Sequence, residues 1–219
     1  MKKWLYLVAA CFIFAASFAG FGYQVITAKR VASGGDGISD DFSSDSSSNY
    51  TSIVNGISVG SGTAGGSTNW EDNTVYHKTS TGSNNHYAQA KIQVGTSSSA
   101  TQTGKILLRC NGDGSSSTGY AVALQDTNRL NFWSFSGGTF TFISYWEIST
   151  DISAAETYVV KIQANGTTFS ATFDVGGGNE ESLGNKTDST YSTGAYIGLG
   201  FGRGGGTDFR ADDFEGDAL

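Results

Sequence analysis

The chain has 219 residues, room for one domain and a targeting segment. With 13 Lys+Arg against 20 Asp+Glu it carries a formal charge of −7 and no basic run, which argues against nucleic acid and anionic membranes as main partners. A unit of about 180 residues buries roughly 70% of its unfolded surface, so neither disulfide nor metal is needed to hold a core. Charged residues make up only 15%, there is no proline, and 31 glycines must supply the turns.

Met1-Lys2-Lys3 is a positive start, Trp4 to Ala16 an apolar run, and Ser17-Phe18-Ala19 a small-x-small site before Gly20. Together they predict a signal peptide over 1–19. The apolar run continues to Ala28, long enough for an uncleaved membrane anchor over 4–28, with Lys29-Arg30 behind it. Val8-Ala9-Ala10-Cys11 also resembles a lipobox. All three readings put the following domain outside the cytoplasm. Residues 20–38 read as a spacer, and 39–219 as the folded domain. If the leader is removed, Cys110 is the one remaining thiol, and it reads as a buried small hydrophobe.

From residue 39 onward the apolar residues recur with period two. Asp40-Asp41-Phe42 opens the domain and Asp212-Asp213-Phe214 closes it, which predicts neighbouring first and last strands. Ala88, Ala90, Ile92 and Val94 form one inward set, with Tyr87, Gln89, Lys91 and Gln93 opposite. Ile106, Leu108 and Cys110 alternate with Leu107 and Arg109. Tyr120, Val122 and Leu124 follow. Leu130 and Phe132 then alternate with Asn131, Trp133 and Phe135, and Phe140, Phe142 and Trp146 with Thr141, Ile143 and Tyr145. A helical turn is admissible at Ile152–Glu156. Thr157–Ala164 and Thr167–Val175 read as the arms of a hairpin around Asn165-Gly166. Ala195–Phe201 and Asp208–Phe214 finish the series. Asn111-Gly112-Asp113-Gly114 and Ser136-Gly137-Gly138 are further turns. The pattern predicts an all-β, two-sheet antiparallel sandwich.

The layout resembles the concanavalin A-like lectin/glucanase superfamily, in particular laminin-G-like jelly-roll modules of secreted bacterial and phage-borne proteins. The carrying residues are Asp40-Asp41-Phe42, Gly119 to Leu124, Asn128 to Trp133 with Gly137-Gly138-Thr139-Phe140, Asn165-Gly166-Thr167, and Arg210 to Gly216. The resemblance covers Ser39 to Leu219. It implies a jelly-roll sandwich and admits sugar binders, adhesins and enzyme appendages alike.

Hydrolases of that superfamily carry a strand motif of the type Glu-x-Asp-x-x-Glu, which would supply the paired carboxylates of glycoside hydrolysis. Glu147, Glu156 and Glu180-Glu181 do not match it. No catalytic residues are therefore assigned, and a hydrolase or lyase is the weaker reading. Sugar binding needs aromatic faces and amide or charged groups in a shallow groove. Alternation puts Gln89, Lys91, Arg109, Asn131, Trp133 and Tyr145 opposite the core sets, so these are the candidate ligand residues. Trp133 is equally readable as core, and one bulge could invert the face assignment. Trp70 and Trp146 read as core.

If Phe42 and Phe214 point inward, Asp40 and Asp212 turn inward with them. Two buried carboxylates ask for compensation. A structural Ca2+ would supply it, as the resemblance also implies, or else Arg210 or backbone N–H groups would. Gly200-Phe201-Gly202-Arg203-Gly204-Gly205 has the letters of a dinucleotide fingerprint but no following helix, so it reads as a turn. Asn49, Asn165 and Asn185 head glycosylation sequons usable only in a host that glycosylates. The expected function is an exported non-catalytic module that binds glycans or cell-surface polysaccharide. The alternative is a structural or assembly protein. Contact with a membrane would come only through an N-terminal anchor.

Overall fold

The structure, a computed structural model, describes residues 37–67, 72–95, 104–125, 128–202 and 209–219. The leader, anchor and lipobox readings, Trp70 and the glycine run beyond Gly202 lie outside the described residues.

Fifteen strands are described, in chain order β1 Ile38–Asp40, β2 Tyr50–Val54, β3 Ile57–Gly60, β4 Thr63–Gly66 and β5 Asn73–His77. There follow β6 His86–Gln93, β7 Gly104–Asn111, β8 Thr118–Gln125, β9 Arg129–Ser136 and β10 Thr139–Glu147. The last are β11 Thr157–Asn165, β12 Thr168–Asp174, β13 Glu181–Thr187, β14 Tyr196–Phe201 and β15 Arg210–Ala218. They pair antiparallel in two sheets. The eight-stranded sheet runs β13-β12-β11-β6-β15-β4-β3, with β1 also on β15, and the seven-stranded sheet runs β10-β9-β8-β7-β14-β5-β2. The predicted sandwich is therefore what forms. The Asn165-Gly166 hairpin pairs as expected. Two differences stand out. Ile152–Glu156 forms a turn and not a helix, and Glu181–Thr187, which the alternation assigned to no strand, forms β13.

The core lies between the inner faces of the two sheets. Ala88, Ala90 and Ile92 of β6 meet Ile106, Leu108, Tyr120, Val122, Leu124, Leu130 and Phe132 there, as their alternation requires. The two ends of the domain do close on each other: Ile38 pairs with Gly216 and Asp40 with Phe214. Phe42 and Phe214 are both buried and both pack near Tyr50. Trp146 is buried at the edge of the core, where its indole N–H donates to the Gly184 carbonyl at 3.1 Å.

A polar clasp holds loops at one end of the sandwich. Arg109, expected to face outward, is only 1% exposed. It has φ of +50° and stands at a register shift between Leu108 and Asn111, so the bulge turns it toward the interior. Its guanidinium lies over the Phe169 ring and donates to the carbonyls of Asn84, Tyr191 and Gly166. The same bulge sends Cys110 to the other side of the sheet from Ile106 and Leu108. Burial pushes that thiol well above its usual range, which makes it the inert small hydrophobe anticipated.

His86 completes the clasp. Its Nδ1 is 2.8 Å from the Ser83 carbonyl, which can only accept, so Nδ1 carries the proton. Nε2 then accepts the Arg109 backbone N–H at 3.1 Å. The neutral ring fits this arrangement and the imidazolium does not. Burial first, and the Arg109 charge to a lesser degree, hold its pKa down at about 4. Between pH 6.5 and about 4 the unfolded chain binds a proton that the native state refuses. Stability is therefore expected to fall as pH drops through that window, by up to about 3 kcal/mol, and to level off in this contribution below it. Denaturant midpoints measured against pH, for wild type and His86→Asn, check this: the variant should lose that one-proton slope.

Candidate functional site

The outer face of the seven-stranded sheet is built from two neighbouring rows. One runs Tyr145, Asn131, Ala123, Lys105, Gly200, Thr74 across six strands. The other runs Phe142, Trp133, Ala121, Leu107, Gly198, Tyr76. Small residues on β8 and β14 flank Lys105 and Leu107 of β7, and the large aromatic ones stand on the β9–β10 side and, as Tyr76, on β5. The face is concave. β2 and β10 are at opposite ends of the pairing order, roughly 29 Å apart in a flat sheet. Yet a side chain added at Gly138, in the β9–β10 turn, would collide with Val54 of β2. The sheet curls its two edges toward each other over this face.

One part of the concavity is filled. Ile53, Tyr76, Leu107, Cys110, Ala121 and Phe135 form a second apolar cluster, packed by Val54, Trp133, Phe140 and Tyr196. Lys105 is 7% exposed. Its ammonium sits 2.7 Å from an Asp72 carboxylate oxygen and 4.5 Å from the centre of the Phe140 ring. Lys105 and Phe140 belong to strands three pairings apart, and they meet over Ala121 and Ala123, where small side chains leave the room.

Aromatic side chains line the other part. Trp133 is half-buried and meets Phe142 edge-on at 5.2 Å, while Phe142 itself is 50% exposed. Tyr145 lies under the Arg129 guanidinium at 4.2 Å. Between them the Asn131 amide donates to the Gln125 side-chain carbonyl. This ledge offers ring faces, amides and an arginine within one shallow surface. These are the groups that stack on sugar rings and bond hydroxyls.

The six sequence-predicted ligand residues fall in three places. Asn131, Trp133 and Tyr145 come together on the concave face. Gln89 and Lys91 are on β6 of the other sheet, on its outer side, and cannot share that surface. Lys91 pairs with Asp213 at 2.5 Å, both about half exposed, where such a pair contributes little. Arg109 is in the clasp, because its bulge reverses the alternation that pointed it outward. Phe140, Phe142, Lys105, Asp72, Gln125 and Arg129 were missed. Lys105 was legible, since it shares the alternation of Leu107. Phe142 was not: a second bulge, between Phe142 and Ser144, shifts the register of β10. It puts Phe140 and Phe142 on the side of Tyr145, opposite Trp146.

The two candidate metal residues are also separated by a bulge. Asp212 pairs with Lys91 on the outer side of the eight-stranded sheet, and the register shift before Glu215 turns Phe214 the other way. The expected sharing of a face between Asp212 and Phe214 is thus overturned. Asp40 shares the inner side with Ile38. Its two oxygens accept from the Phe42 N–H at 2.9 Å and the Tyr50 hydroxyl at 3.1 Å. Arg210 does not appear in either of these bonds. As placed, Asp40 and Asp212 do not fit a shared Ca2+. Among the described residues no group of three or more His, Cys, Asp or Glu is arranged to hold a metal.

No protein-family model and no curated protein matches the sequence. Solved structures do match by shape. A carbohydrate-binding module, CBM66 from Bacillus subtilis, superposes with a TM-score of 0.57 at 18% identity, over 76% of this chain and 91% of that one. The VIP36 exoplasmic/lumenal domain in its Ca2+/Man-bound form gives 0.58 at 10% identity, over 78% and 82%. The CBM2 module of the evolved Dit of Lactobacillus casei BL23 phage J-1 gives 0.51 at 14% identity, over 82% and 93%. The fold is the concanavalin A-like jelly roll of these proteins.

Asp40 serves a backbone amide and a buried hydroxyl, so Asp40→Ala is expected to lower stability by about 1–2 kcal/mol. Urea unfolding with and without a chelator checks this. The loss should be the same in both, and a chelator effect in wild type that vanishes in the variant would point to a bound cation instead.

Proposed function

We propose that this chain is an exported, non-catalytic carbohydrate-binding module whose glycan ligand lies on the concave face of the seven-stranded sheet. The observation that carries the reading is the ledge of Trp133, Phe142 and Tyr145 beside Asn131 and Gln125. The names of the shape-matched proteins support it, since two are carbohydrate-binding modules and VIP36 is in a Ca2+/Man-bound form. The acidic charge and the low share of ionic residues favour neutral, hydroxyl-rich ligands, including cell-surface polysaccharide. The positive start and apolar run of the N-terminal segment support export.

A glycan array is the direct test, followed by titration of Trp133→Ala and Phe142→Ala against the best binder. Each substitution removes a stacking surface, and a loss of at least about tenfold in affinity is expected, with folding unchanged by circular dichroism. Absence of binding across neutral and acidic glycans would remove the reading. A second reading, an assembly surface, draws on one observation. β10 is an edge strand with no charge from Thr139 to Trp146 and a half-exposed Phe142, the kind of edge that natural sheets protect. Light scattering against concentration tests it, and a strictly monomeric domain removes it.

A further inference from the structure

Three Asn-Gly steps occur in the sequence, at Asn55-Gly56, Asn111-Gly112 and Asn165-Gly166. Each reads alike in one dimension. The folded chain treats them differently. At Asn55 the carboxamide is drawn away to donate to the Asp72 carbonyl at 2.9 Å, and the Gly56 N–H donates to the Ser67 hydroxyl at 3.2 Å. At Asn165 the Gly166 N–H donates to the Asn85 side-chain carbonyl at 2.9 Å, and the Gly166 carbonyl is held by Arg109. In both steps the nitrogen is occupied by another group.

At Asn111 the Gly112 N–H points at the Asn111 side chain itself, 3.0 Å from Oδ1. Both residues are exposed. Gly112 has φ of +98°, and a Cβ there would press on the backbone of Ser116 and Ser117 at 3.2 Å, so only glycine fits this turn. The Gly112 nitrogen thus lies within hydrogen-bond distance of the Asn111 carboxamide oxygen, one bond from the carbon it would attack.

We propose that Asn111 is a site of spontaneous covalent modification, the chain's selective point of deamidation and isoaspartate formation. The Gly112 amide gives up its proton to water or hydroxide, and its nitrogen bonds to the Asn111 side-chain carbon. The C–N bond of the carboxamide breaks and ammonia leaves, closing a succinimide ring. Water then opens the ring at one of its two carbonyls, which leaves aspartate or isoaspartate at position 111. No oxidant or reductant is needed.

The position gives the change a consequence. The Tyr76 hydroxyl, part of the cluster filling the concave face, donates to the Gly112 carbonyl at 3.3 Å. Isoaspartate lengthens the backbone at that anchor, and either product adds a negative charge next to Asp113.

The test is peptide mapping by mass spectrometry, with isoaspartate-specific methylation, of the full chain held in mildly alkaline buffer. In the folded protein Asn111 is expected to convert about tenfold faster than Asn55 and Asn165, the gain coming from orientation of the reacting atoms. In denaturant the three rates should converge, because the sequence step is the same. Asn111→Gln should remove most of the methyl-accepting signal. Equal native rates at the three steps, a native Asn111 preference that persists unchanged in denaturant, or full signal in Asn111→Gln would each overturn the proposal.

Discussion

The seven-stranded sheet is apolar on both sides, and the rest of the molecule is arranged around that burden. Ile106, Leu108, Tyr120, Val122 and Phe132 face the main core, while Leu107, Ala121 and Phe135 face away from it and are just as buried. A sheet that must bury both faces needs a cover on each. The eight-stranded sheet supplies one. The other is made by curling: the β9–β10 turn reaches Val54, and Phe140 folds in over Lys105. Curling is easier where side chains are small, and Ala121, Ala123, Gly198 and Gly200, on the strands either side of β7, meet that need. The concavity of the candidate site is thus a by-product of hiding a second apolar layer.

Covering is incomplete at the β9–β10 side, and there the aromatic ledge lies open. Trp133 has one side on the second cluster and one on Phe142. This dual role explains why the core and platform readings of Trp133 were hard to separate. Lys105 shows the opposite economy. Its ammonium is nearly out of water, and the Asp72 carboxylate and the Phe140 ring help make that tolerable. At the clasp, Arg109 is kept in the interior by backbone carbonyls and a ring face, and His86 is kept neutral first by burial, its Nε2 accepting the Arg109 N–H.

Three bulges decide where the polar chemistry goes. Each adds one residue to a strand and reverses the faces beyond it. In β7 the bulge takes Arg109 into the clasp and gives Cys110 to the second cluster. In β10 it brings Phe142 alongside Trp133. In β15 it parts Asp212 from Phe214. Without the β10 bulge, Phe140 and Phe142 would share a face with Trp146, and the ledge would be lost.

The two-sheet architecture was legible in the chain, because period-two burial is written residue by residue in stretches such as Ala88 to Ile92 and Tyr120 to Leu124. The meeting of the first and last strands was legible too, from the repeated Asp-Asp-Phe, and so was the Asn165-Gly166 hairpin. Strand alternation also placed Asn131, Trp133 and Tyr145 together on one side. The remaining site could not be read this way. A bulge costs one residue of register and needs no distinctive residue type: Arg109 and Asp213 adopt positive φ without being glycine. Which of two sheets a strand joins, as for Gln89 and Lys91 on β6, depends on pairing partners distant in sequence. Local pattern therefore determined the strands and their inner faces. The curl, the bulges and the choice of sheet, which together select the residues that share the concave face, are long-range packing decisions that only the tertiary structure made.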